Sequence, residues 1–173
     1  IIFSGSVLID AQHTSFYGAG ANSVNAAVVG GSGADARNTL NTIAVVLLDD
    51  SVEIWAGLDS TVVISAENHF CQDQDGDSVS AAGGGGITAT AALSTTTLTG
   101  AARVELAENV KIASGRDPFS GRSIILLAAS SLESFDRVTL QTGGALTGAG
   151  AVSHLDATLT NLVEIGSGVQ LTG

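Results

Sequence analysis

VELAENVKIASG, residues 104–115, is written three times in this chain of 173 residues. VLLDDSVEIWAG stands before it at 46–57, and VEIGSGVQLTG follows at 163–173. The valines that open each copy fall at 46, 104 and 163, and a second set falls at 52, 110 and 169, so both spacings are 58 and then 59. Val104 and Leu106 stand two apart, as do Val110 and Ile112, with Glu105 and Lys111 between them. That alternation marks strands with one face buried, here two short ones folded about 107–109. An offset held through three copies marks a repeat protein.

The repeat extends in both directions. Val79-Ser80-Ala81, then glycines and Ile87, matches Val138-Thr139-Leu140, then glycines and Leu146, each 59 residues on. Val28 stands 59 before Ile87, and VVISA at 62–66 matches IILLA at 124–128 at a distance of 62. One unit therefore holds a Gly-rich strand, a Thr-rich strand, the strand pair, a loop, an Ile/Val-rich strand and a second loop. Units run roughly 1–57, 58–115 and 116–173. No window keeps apolar residues at helical spacing, because Gly, Ser and Thr interrupt each one.

Identical strands written at a fixed interval stack in register when each coil lies on the last. The reading is all-β: one parallel β-solenoid segment over 1–173, wound as a right-handed β-helix. A coil of about 20 residues gives three rungs per unit and eight or nine in all, and two rungs of about 30 fit nearly as well. With three rungs per unit, Glu105 and Glu164 stand about 14 Å apart, beyond the Debye length.

Composition agrees. Apolar residues make up 45% of the chain but aromatics only 4%, so a narrow interior of Val, Ile, Leu and Ala is expected. A net charge of −11, with one lysine, argues against nucleic acid and anionic membranes as partners. The longest apolar run, 43–48, is too short to span a bilayer. The lone Cys71 makes no disulfide framework, and burial is its expected state. Opening Ile-Ile-Phe without any Met, the chain reads as an interior piece of something longer.

With GGGGITATAA (83–92), STTTLT (94–99), then VELAENVKIAS in order, the chain resembles the giant repetitive filamentous-haemagglutinin-like adhesins of bacteria. The third unit repeats the pattern through DATLTN at 156–161 and VEI at 163–165. The resemblance implies a right-handed β-helical rod at the cell surface or outside the cell. It also implies copies of the same protein, a cell-surface protein or a glycan as partners, and an outer-membrane secretion partner for the parent chain. It carries over no catalytic residue and no cofactor.

Asp73, Asp75 and Asp77 form the best ligand-like cluster, since carboxylates at alternate loop positions suit Ca²⁺. Gly76 precedes the third acid, however, and Gly84 stands where an EF-type loop needs Glu, which favours a solvated loop. His13, His69 and His154 fall at unrelated repeat positions. Arg116, Asp117 and Arg122 are the nearest approach to a polysaccharide-cleaving set, with a surface salt bridge as the plainer reading. Trp55 stands where the other units have Ala113 and Thr172; it suits sugar or protein contact, and cover for an adjacent loop suits it better.

A non-catalytic structural segment of an extracellular fibre or adhesin is therefore expected. The alternatives are an adhesive module whose ligand is held by irregular loops at 10–21, 68–86 and 114–122, and a β-helix enzyme acting on polysaccharide.

Overall fold

Alternation of apolar and small polar residues, broken wherever a helix needs continuity, yields strands throughout. The computed structural model describes residues 1–57, 60–72, 78–115 and 123–173, and these hold eleven strands and no helix. In order they are β1 (Ile2–Ser4), β2 (Val7–Tyr17), β3 (Ala21–Ala26), β4 (Val29–Leu48), β5 (Glu53–Ala56) and β6 (Thr61–Gln72). There follow β7 (Ser78–Leu106), β8 (Lys111–Ser114), β9 (Ser123–Glu133), β10 (Arg137–Ile165) and β11 (Gln170–Thr172).

Three parallel sheets result. The first runs β1-β5-β8-β11, the second β2-β6-β9, and the third places β7 between β10 on one side and both β3 and β4 on the other. Every strand pairs with its counterpart in the next unit. Val46, Val104 and Val163 are register partners, as are Val79 and Val138, and Val62 and Ile124. Val29, not Val28, partners Ile87.

That register corrects the expected rung count. Each unit contributes one layer, not three or two, and the chain forms three layers. Gly-rich 83–92, Thr-rich 94–99 and VEL at 104–106 are successive stretches of one 29-residue strand, β7. Glu105 and Glu164 are consequently direct neighbours about 4.8 Å apart, not 14 Å. Arg103, 3.7 Å from Glu105, offsets part of that repulsion.

Long strands turn back within their own layer. At the glycine corner 83–86, the start of β7 folds to face its middle, so Val79 and Ala81 pack with Ala92. Farther along, Phe70 of β6 meets Leu98, and Val62, Ile64 and Ala66 join Ala102, Val104 and Leu106. Gly100 makes room for Phe70, since a Cβ there would lie 2.6 Å from its ring. The interior holds polar groups as well. Buried Asn68 donates to the Thr42 hydroxyl at 2.8 Å and accepts from it through Oδ1 at 3.0 Å. Buried Gln72 donates to Asp136 at 3.2 Å and accepts from Ser134 at 3.0 Å and from the Phe135 N–H.

Two of the expected loops are largely strand. Residues 10–17 belong to β2, 68–72 to β6 and 78–86 to β7. Their inward residues include Tyr17, Asn68 and Gln72, whose mixed polarity hid the alternation. Cys71, expected inside, lies half-buried between Phe16 and Glu133.

The turn at 107–110 is a corner rather than a hairpin, passing the chain from the third sheet to the first. Ser51, Asn109 and Gly168 occupy the same place in the three units and all have positive φ, of 61°, 58° and 70°. The turns are locked across layers by Ser51 N–H to the Glu108 carbonyl and Asn109 N–H to the Ser167 carbonyl, both 2.9 Å. A left-handed conformation costs a residue with Cβ about 1–2 kcal/mol, and glycine's extra unfolded freedom returns about half of that. Ser51→Gly is therefore expected to stabilise by about 0.5–1 kcal/mol, read as a higher urea midpoint at unchanged slope.

Candidate functional site

Sheet alternation along the short strands β5, β8 and β11 sends Ile54 and Ile112 into the core, both almost wholly buried. It leaves Glu53, Trp55, Lys111, Ala113, Gln170 and Thr172 on the opposite face. Register then sorts these six into two rows across the layers, Glu53–Lys111–Gln170 and Trp55–Ala113–Thr172.

In the first row the Lys111 Nζ donates to Glu53 Oε1 at 3.0 Å. That hydrogen bond and the ammonium charge hold the Glu53 carboxyl below its ordinary range, and a hydrogen bond from the Trp55 side chain adds to the effect. In the second row Trp55 stands between Phe3 of β1 and the small Ala113 of β8, with Thr172 beyond it. Trp55 remains 42% exposed and forms one wall of a depression of about 290 Å³. Ala113, Gly115 and the backbone around Ile112 line it as well, with Lys111, Gln170 and Thr172 supplying polar groups. Chemically this is an aromatic surface beside an ammonium, an amide and a hydroxyl.

A second polar row lies on the outer face of the second sheet. His69 stands beside Ser131, with Nδ1 2.7 Å from its hydroxyl, while Nε2 is 3.1 Å from Glu67. All three are partly accessible, and the row ties β6 to β9. His13 lies 3.2 Å from the Ser15 hydroxyl, and His154 lies on β10 beside Thr95. His13 stands one register position from His69 on the neighbouring strand, but strand alternation sends their side chains to opposite faces of the sheet.

Asp73, Asp75 and Asp77 lie outside the described residues, as do Arg116, Asp117 and Arg122. Among the described residues no group of three or more His, Cys, Asp or Glu side chains is arranged to hold a metal ion. Among the described residues no helix is long and apolar enough to cross a membrane.

The sequence marked Trp55 but assigned it to covering a loop; the structure gives it an open surface. One signal was available in the repeat itself: the outward position that is Ala113 and Thr172 in two units is tryptophan in the third. The partners in the depression were not legible, because Lys111 and Gln170 come from other units. Comparison of the chain with protein-family models, with curated proteins and with solved structures finds no match.

Proposed function

We propose that the chain is a segment of a right-handed parallel β-solenoid with one repeat per turn. In this reading it serves as a non-catalytic structural element of a secreted or cell-surface fibre of the filamentous-adhesin kind. The observation that carries the reading is the parallel register between counterparts in successive units, kept in all three sheets and interrupted only at the glycine corner. Such a stack is extended by adding layers, each supplying backbone partners to the last. Its outermost layers support this, since the inward residues Val163 and Ile165 are exposed there while their middle-layer counterparts Val104 and Leu106 are buried. Further layers of the same kind, from the parent chain or another copy, are the natural cover. The acidic surface suits a long apolar-cored body that must not associate at random. Export through an outer-membrane partner belongs to the same proposal.

The one-layer register sets a dimension that can be measured. Each unit of about 59 residues lengthens the body by only about 4.8 Å, a third of what a 20-residue coil would give. Negative-stain electron microscopy of the intact native protein is expected to show uniform rods with that short length per mass. Compact particles with no elongated body would overturn the proposal.

A further inference from the structure

We infer that the depression beside Trp55 is a binding site for a neutral saccharide, taking one or two pyranose rings against the indole. Three observations converge on it. First, Trp55 is the chain's only tryptophan and points away from the core, half exposed to solvent. Its register partner on β1 is Phe3, whereas toward β11 its neighbours are Ala113 and Thr172, whose small size leaves that side of the indole open.

Second, the site has the composition that sugar recognition needs. The axial C–H face of a pyranose is apolar and lies flat on an aromatic ring, while its rim carries hydroxyls that both donate and accept. Around the indole stand the Lys111 ammonium, the Gln170 amide and the Thr172 hydroxyl. Lys111 spends one donor on Glu53 and has two more. Gln170 and Thr172 each donate and accept. A volume of about 290 Å³ is at the lower end for small-molecule sites and suits a short stretch of glycan rather than a buried ligand.

Third, charge selects among saccharides. The lysine is already paired with Glu53, so the site has no net charge, and the molecule around it carries −11. An acidic sugar would enter an unfavourable field without an unpaired cation to receive it. A peptide side chain is a poorer fit, because the depression offers one aromatic wall and no enclosed apolar pocket. The inference depends on the face formed by β5, β8 and β11 alone, so it holds whether or not the chain builds a fibre.

Trp55 being unique, its fluorescence reports on this site only. The native protein is titrated with soluble neutral oligosaccharides of four to six residues, built from glucose, mannose, galactose or N-acetylglucosamine. A saturable blue shift with at least one of them is expected, at a dissociation constant of about 0.1–1 mM for so small a contact. Ala113→Phe fills the depression yet keeps the tryptophan, and should abolish the shift while leaving the urea midpoint within error. Trp55→Ala, followed by calorimetry, should weaken binding at least tenfold. Absence of any saturable shift up to 10 mM (about ten times the weaker expected constant) would overturn the inference. So would binding unchanged in Ala113→Phe and Trp55→Ala, or preference for an oligogalacturonate over every neutral probe.

Discussion

Val110→Asp is expected to destabilise the protein by about 4 kcal/mol or more, enough to unfold the middle layer with its neighbours. Val110 has no exposed surface and packs with Val104, Leu106 and Ile112 of its own layer, against Leu48 and Ile54 of the layer before. Val52 and Val169 flank it from the other two turns. No basic group belongs to that cluster, so an aspartate there meets neither a counter-ion nor water. Burial raises the pKa of such a carboxyl in the folded state above its unfolded value. The folded form then holds more protons than the unfolded one, and stability falls as pH rises through the unfolded and then the folded pKa. The variant should therefore be less impaired at pH 4 than at pH 7, relative to the parent at each pH. Glu105→Gln, on the outward face of the same repeat, serves as the control and should shift stability by no more than about 0.5 kcal/mol. Urea melts of the two variants decide it. A Val110→Asp midpoint equal to that of the parent would invert the assignment of inner and outer faces.

The second large effect is expected at a glycine. Gly85 has φ of 155°, and a Cβ built on it would lie 1.6 Å from the Ala27 carbonyl oxygen and 2.8 Å from the carbonyl carbon. These are backbone atoms of the preceding layer. They are held there by the hydrogen bonds from Ala27 N–H to the Gly84 carbonyl, 3.0 Å, and from Ile87 N–H to the Val28 carbonyl, 2.9 Å. Any side chain must force the layers apart at the corner or break those bonds. Gly85→Val is expected to cost about 3 kcal/mol or more. Gly84, one residue earlier, has nothing within 4 Å of its Cβ position, and Gly84→Ala should change stability by no more than about 0.5 kcal/mol. Amide hydrogen exchange on Gly85→Val should show protection lost first in β3 and the opening residues of β4, which pair across that corner. Equal melting of the two glycine variants would show that the layers are not in close contact there.

Those two positions also separate what was legible from what was not. Val110 could be placed inside from sequence alone, because alternation with Glu105 and Lys111 in three copies leaves only one face for the valines. Gly85 could not be singled out within GGGG, since the close approach comes from Ala27, a residue of another unit. The left-handed turn was half legible: Gly168 suggests it, but Ser51 and Asn109 adopt the same φ because cross-layer hydrogen bonds impose it. At the candidate site, Trp55 stood out as an irregularity, whereas its surroundings did not. The expected loops at 10–21 and 68–86 failed for a related reason. Polar inward residues such as Asn68 and Gln72 break the apolar alternation, and only their buried hydrogen-bond partners make them compatible with a strand.

By itself, the sequence determined that the chain is all-β, that its strands recur every 58 or 59 residues, and which side chains around 104–115 face inward. Periodicity along a chain is a local property, and burial of one strand face follows from it. Tertiary structure decided how many layers each repeat makes, where the long strands fold back, and which residues of separate units meet beside Trp55. Those depend on pairing between residues a full repeat apart, and a repeat length is equally compatible with one coil or several until the register is known.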